Sequence, residues 1–170
     1  MKRRISPSLA RVRELLDYDA DSGVLTWRIC TSNRVKVGDV AGWSGEGNCF
    51  GYTQISIDGI LYLAHHLIWF YVYGEWPIQI DHRDLDKSNN KLDNLRLATQ
   101  SQNCGNLPKP KHNTSGYKGV SWEKKRNYWI AQISLNKKRY YLGAFDTKEQ
   151  AHAAYLNAAT RNWGEFARAT

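Results

Sequence analysis

Two prolines, Pro108 and Pro110, stand among Lys109, Lys111 and His112 and interrupt regular structure, so no helix or strand can run through them. The charge changes character at the same place. Residues 1–106 carry 12 Lys/Arg against 12 Asp/Glu, whereas residues 107–170 carry 12 against 4, so the whole net charge of +8 lies in the last third. A charge-balanced part followed by a basic part predicts two modules, one of which grips a polyanion. The sequence accordingly predicts an N-terminal domain over residues 1–106, a linker over 107–115 and a C-terminal domain over 116–170. Lysines that merely solubilise a surface are the plainer alternative, and charge alone does not decide between them.

With 42% hydrophobic and 24% charged residues, the composition is that of a soluble globular protein. No uninterrupted apolar run of about 18 residues occurs, and the Met1-Lys2-Arg3-Arg4 start leads to Ser6-Pro7 and a charged segment instead of a secretory core. The expectation is a cytoplasmic protein without a membrane partner. Cys30, Cys49 and Cys104 are odd in number and widely spaced, which predicts reduced thiols and no knuckle of paired cysteines.

Residues 9–18 place Leu9, Val12, Leu15 and Leu16 at helical spacing, and residues 24–28 read as a strand. Residues 38–51 are rich in glycine and predict loops around one short strand. Residues 51–57 and 60–63 are strand-like runs joined by Asp58-Gly59, the signature of a tight hairpin. Residues 64–73 are almost wholly apolar and end at Gly74, which predicts a buried helix on that hairpin. Strands at 78–80 and 95–98 then flank a polar loop, and Thr99 or Ser101 opens a short helix.

That β-β-α stretch carries the chemistry. Asp81 at a strand end offers an oxygen to a hard divalent cation, and Asn103 on the helix offers a second. His82, with an unperturbed pKa of about 6.5, suits a general base. Asn94 is placed to organise the polar loop. Taken singly these are ordinary residues: Asp81 could cap a turn, and Ser88-Asn89-Asn90 reads as a turn bonded to its own backbone. Their joint spacing favours phosphodiester hydrolysis. A zinc site made of His65, His66, His82 and Cys104 lacks the usual paired-ligand spacing.

The segment from His65-His66-Leu67-Ile68-Trp69 through Ile80-Asp81-His82-Arg83-Asp84 to Gln102-Asn103-Cys104 resembles the HNH (ββα-metal) nuclease motif of phage and intron-borne homing endonucleases. The resemblance implies Asp81 and Asn103 as metal ligands, His82 as general base and Asn94 as the asparagine bracing the loop. His66 resembles the histidine that opens the motif, as an accessory or phosphate-proximal residue, with His65 a packing or surface residue. The implied cofactor is a divalent metal, Mg²⁺ or Mn²⁺. The implied setting is the cytoplasm of a bacterial host.

Beyond the linker, strand-like runs at 117–122, 128–135 and 139–145 precede a helix opened by Thr147-Lys148-Glu149-Gln150, a capping-box pattern. Ala151, Ala154, Tyr155, Ala158 and Ala159 give that helix a small-residue face to lay on a sheet. Trp129, Ala131 and Ile133 alternate towards the helix, leaving Gln132 and Ser134 outward. Trp122 and Trp129 are expected in the core. Basic side chains neutralise phosphates, and glutamine and arginine also read base edges in a major groove. Tyr117-Lys118-Gly119-Val120, Tyr141-Leu142-Gly143-Ala144-Phe145 and Ala153-Ala154-Tyr155 resemble the AP2 DNA-binding domain. That resemblance implies Lys118, Ser121, Gln132, Ser134, Arg139 and Tyr141 on the DNA-facing sheet, with Lys124, Lys125 and Arg126 beside it.

The sequence thus predicts an α+β chain, a nuclease domain followed by a three-stranded antiparallel sheet with one helix. The expected function is metal-dependent, site-targeted cleavage of double-stranded DNA by a monomer or a transient dimer. The alternative is a DNA-binding regulator that keeps a vestigial nuclease fold.

Overall fold

In the computed structural model of the chain, residues 6–44 and 51–168 are described. Cys49 and part of the glycine-rich stretch lie outside them. The chain is an α+β protein with small antiparallel sheets, and it divides into two compact units, Met1–Leu97 and Ala98–Thr170. The division falls earlier than the expected linker at 107–115, because the helix that follows Ala98 packs with the C-terminal elements.

In the first unit, α1 (Leu9–Leu15) starts at Ser8, whose side chain accepts from the Arg11 N–H. The helix stops short of the expected Tyr18. Leu16–Asp19 instead forms β1 and pairs antiparallel with β2 (Val24–Trp27). Leu16 lies opposite Trp27 and is fully buried, a contact that a further helical turn would forfeit. β3 (Gln54–Ile57) and β4 (Ile60–Leu63) form the expected hairpin, with Asp58 and Gly59 both at positive φ, 48° and 78°, as a type I′ turn needs. α2 (Ala64–Tyr73) ends on left-handed Gly74. Its Leu67 and Ile68 join Val12, Leu15, Leu16, Leu25, Ile55 and Ile57 in one apolar core.

On that core rests a two-stranded ribbon, β5 (Ile80–His82) paired with β6 (Leu95–Leu97). The strand begins later than the sequence suggests. Ile78 is 99% exposed, and pairing starts where Ile80 meets Leu97.

The second unit opens with α3 (Gln100–Asn106), capped by a reciprocal Thr99–Gln102 capping box. A sheet follows in the order β7 (Val120–Glu123), β8 (Tyr128–Leu135), β9 (Lys138–Phe145), all antiparallel. α4 (Lys148–Trp163) has the expected capping box at Thr147 and Gln150 and ends in a 3-10 turn, Gly164–Phe166. Ala151, Tyr155, Ala159 and Trp163 are its buried face, set against Val120, Ala131 and Ile133 of the sheet. Gly119, at φ 72°, is required there because a side chain would run into the Tyr155 ring and the Gln132 carbonyl.

Candidate active site and nucleic-acid interface

The ribbon β5–β6 places Asp81 and His82 side by side, and both are buried. Pairing sets Asp81 opposite Arg96, whose Nε and Nη2 both donate to Asp81 Oδ2, at 2.9 and 2.8 Å. The guanidinium fixes the carboxylate and offsets its charge within a buried pocket. No local sequence pattern marks Arg96. The antiparallel register carried the signal, since a strand at 80–82 paired with 95–97 puts residue 96 across from residue 81.

His82 Nε2 lies 3.1 Å from Oδ1 of Asn90, itself a buried residue. An amide oxygen only accepts, so Nε2 carries the proton and the basic lone pair belongs to Nδ1. Asn90 is in turn held from outside: Tyr18 Oη donates to its carbonyl at 3.1 Å. Gly23 in the β1–β2 turn is at φ 75°, and a Cβ there would stand 2.5 Å from the Lys91 nitrogen. The N-terminal hairpin therefore abuts the loop that steers the histidine. Asn90, expected only to bond its own backbone, is the side chain that orients the ring.

Asn94 ties the loop into a closed figure. Its Nδ2 donates to Asp84 Oδ1 at 2.9 Å and to the Asn89 carbonyl at 2.8 Å, while its Oδ1 accepts from the Asp84 N–H at 3.1 Å. Partial burial opposes ionisation of Asp84, but donors from Asn89, Asn94 and the Asp86 N–H outweigh it and hold the carboxyl below the usual carboxylate range.

The histidine beside the expected base is His65, which the sequence reads as a packing or surface residue. The His65 ring centre is 5.0 Å from that of His82 and 5.1 Å from Tyr52, and the residue is buried. His66 lies beyond it, edge-on to Trp76. On this helix the buried residues are Ala64, His65, Leu67, Ile68 and Phe70, which turns His65 to the core. His65 Nδ1 has no hydrogen-bond partner among the described residues. Burial above all, with the neighbouring His66 and His82, pushes His65 down to about 2, so it stays neutral in the fold. The consequence has a definite sign: the unfolded chain protonates His65 and the folded one does not. Stability should therefore be full above about pH 6.5 and fall by up to ~1.4 kcal/mol per unit as the pH drops below it. Urea titrations at pH 6.5 and 5 should show this slope reduced in His65→Leu; equal slopes would place a charged His65 in the native state.

In the second unit, Asn103 lies on α3. Its Oδ1 is enclosed and accepts no hydrogen bond from the described residues, which for an amide costs about 1–3 kcal/mol unless a donor or a cation meets it. An oxygen donor of this kind fits a hard divalent ion, as does a carboxylate. Among the described residues no group of three or more His, Cys, Asp or Glu could hold a metal. The ligand pair implied by the motif, one carboxylate and one amide, is of a different composition.

The sheet brings most of the expected DNA-facing residues together. Ser121, Gln132, Ser134, Arg139 and Tyr141 share the face turned away from α4, with Tyr141 opposite Gln132 and Arg139 opposite Ser134. Lys124, Lys125 and Arg126 are exposed in the β7–β8 turn. Lys118 departs from the expectation. It is buried, and its Nζ donates to the carbonyls of Gly105 and Leu107, both at 2.6 Å. Burial draws the Lys118 ammonium down to about 8, which still leaves it charged at neutral pH. Trp122 also departs, at 39% exposed on the sheet rim, with its ring 5.0 Å from that of half-buried Trp129.

An Asp-His ribbon in one unit and a polar, basic sheet in the other are the arrangement expected of a nuclease that works on DNA. Comparison with known proteins agrees. The HNH endonuclease family matches residues 62–104, and the AP2 domain matches residues 115–165. The chain is 37% identical over 106 residues to Protein 3.8 of Escherichia phage T7, covering 61% of this chain and 87% of that protein. It is 36% identical over 120 residues to an uncharacterized HNH endonuclease, L560, of Acanthamoeba polyphaga mimivirus, covering 69% of this chain and 61% of that protein. No solved structure matches. The chain belongs to the HNH endonuclease family and carries an AP2 domain towards its C-terminus. No helix among the described residues is long and apolar enough to cross a membrane.

Proposed function

We propose that the protein is a metal-dependent, site-targeted endonuclease of the phage or intron homing type, acting on double-stranded DNA in the cytoplasm of a bacterial host. The observation that carries this reading is the buried His82, held at Nε2 by Asn90 and set next to the carboxylate of Asp81. On this reading Asp81 and Asn103 are the oxygen ligands of Mg²⁺ or Mn²⁺. When bound, the ion stabilises charge on the scissile phosphate and the leaving oxygen. His82 accepts the proton of the attacking water at Nδ1, and Asn90 keeps the ring from turning as it does so. The neutral His65 adds no opposing charge when His82 becomes cationic. Arg96 orients Asp81, and Asn94 keeps the loop shut around the base.

The AP2 sheet selects the site. Its exposed Lys124, Lys125 and Arg126 reach phosphates, and Gln132 and Arg139 present amide and guanidinium groups to base edges. Each centre cuts one strand, so a monomer nicks and a transient dimer breaks both strands. Supercoiled plasmids carrying a randomised insert, incubated with Mg²⁺, Mn²⁺ or EDTA, test the whole reading. Nicks at a shared sequence motif in the metal arms alone are expected; sequence-specific binding without scission in any arm would overturn it in favour of a DNA-binding regulator.

A further inference from the structure

The match to the nuclease family ends at residue 104, yet its last seven residues lie in the compact unit of the DNA-binding sheet. The sequence of α3, Gln100–Asn106, explains why it needs support. Seven residues including asparagine, serine, cysteine and glycine do not sustain a helix alone. Its N-terminus is capped from within by Thr99 and Gln102, but Pro108 follows closely and the last carbonyls need donors from elsewhere.

Those donors come from the AP2 fold. Lys118 Nζ lies 3.4 Å from the Cys104 carbonyl and 2.6 Å from those of Gly105 and Leu107, and the Arg168 N–H lies 3.3 Å from the Gly105 carbonyl. A cation at a helix C-terminus also meets the negative end of its dipole. The indole of Trp163, buried at the end of α4, lies against the helix at Gly105, where a Cβ would stand 2.7 Å from the ring. Trp163 Nε1 donates to Ser101 Oγ at 3.0 Å, one helical turn before. Ala98 packs on the same apolar cluster.

We infer that Lys118 is a positioning residue for cleavage: with Trp163 it fixes α3, and hence Asn103, to the AP2 fold, so that this fold serves the chemistry as well as DNA capture. The inference rests on Asn103 as a ligand. It gives Lys118 a role other than the place on the DNA-facing sheet that the motif implies.

The test uses the full chain as wild type, Lys118→Met, Lys118→Arg and Trp163→Phe. Hydrogen exchange is read separately for the amides of α3 and of β8, DNA affinity is measured in EDTA, and nicking is measured at saturating DNA. In Lys118→Met the α3 amides should exchange about tenfold or more faster while β8 stays protected. Affinity should stay within about threefold, and nicking should fall about tenfold or more, because a helix freed at its C-terminus no longer holds its ligand still. Lys118→Arg, which keeps a donor cation, should recover part of both. Unchanged α3 exchange, or affinity lost with α3 protection intact, overturns the inference; the latter would make Lys118 a DNA contact. If β8 also loses protection, Trp163→Phe decides, since it keeps an aromatic ring there while removing the bond to Ser101 and part of the indole's contact with α3: there, α3 exchange and nicking equal to wild type overturn the inference. A wild type that never nicks sinks the functional reading instead, while the exchange data still judge the docking of α3.

Discussion

Replacing His82 by alanine should lower plasmid nicking by about 10²–10⁴-fold, the usual worth of a positioned general base, and leave DNA affinity nearly unchanged. Two facts set that expectation. The ring is oriented by a buried amide, so its proton-accepting nitrogen is specified and not a matter of free rotation. The groups expected to grip DNA belong to β7–β9 and their turns, in the other compact unit. Because His82 is buried against His65 and Tyr52, truncation also leaves a cavity, and thermal melts must accompany the kinetics. His82→Gln, which fills the space without a comparable base, separates the two effects. Nicking by a well-folded His82→Gln at the wild-type rate would remove the histidine from the chemistry. Asn90→Ala should fall between the two, since the base remains but its ring can turn.

The second large effect concerns Arg96. Arg96→Met removes one partner of a buried ion pair whose side chains are 8% and 9% exposed, and leaves the buried Asp81 carboxylate without the guanidinium charge. Loss of about 3–5 kcal/mol is expected, a large fraction of the ~5–15 kcal/mol that holds a typical domain together. The same change should make the protein more responsive to metal. A guanidinium and a divalent ion are both satisfied by the same carboxylate, so Mn²⁺ at about 100 times its dissociation constant should return some 2–3 kcal/mol to the variant and less to the wild type. Urea unfolding with and without Mn²⁺ measures both. Equal metal responses in the two proteins would mean that Asp81 is not where the ion binds.

Elements are legible in the sequence where a local rule has one outcome. Asp58-Gly59 admits the type I′ turn and little else, Thr147 with Gln150 starts a helix, and the alternation of Ala131 and Ile133 fixes which face of β8 is inside. They are not legible where the deciding contact is distant in sequence. Leu16 suits either a helix or a strand, and only Trp27 settles which. His65 and His66 are adjacent, and the apolar run around them gives no strong preference for one face. Counting charge marks the C-terminal module as basic but cannot tell which lysine folds inward, and Lys118 is buried with its ammonium on the Gly105 and Leu107 carbonyls. The sequence marks Asp81 and His82 as candidates, whereas Asn90 and Arg96 become visible only through loop closure and strand register.

The contact of the β1–β2 turn with the loop at Asn90 and Lys91 bears on how such a gene tolerates change. Position 23 accepts glycine alone, both for its positive φ and for the backbone pressed against it. A random screen for inactive variants should therefore return hits at Gly23 and Tyr18, far upstream of the nuclease motif and without a role in binding DNA or metal. Shuffling the motif into a new chain would keep its spelling and lose its histidine's bearing unless this hairpin travels with it.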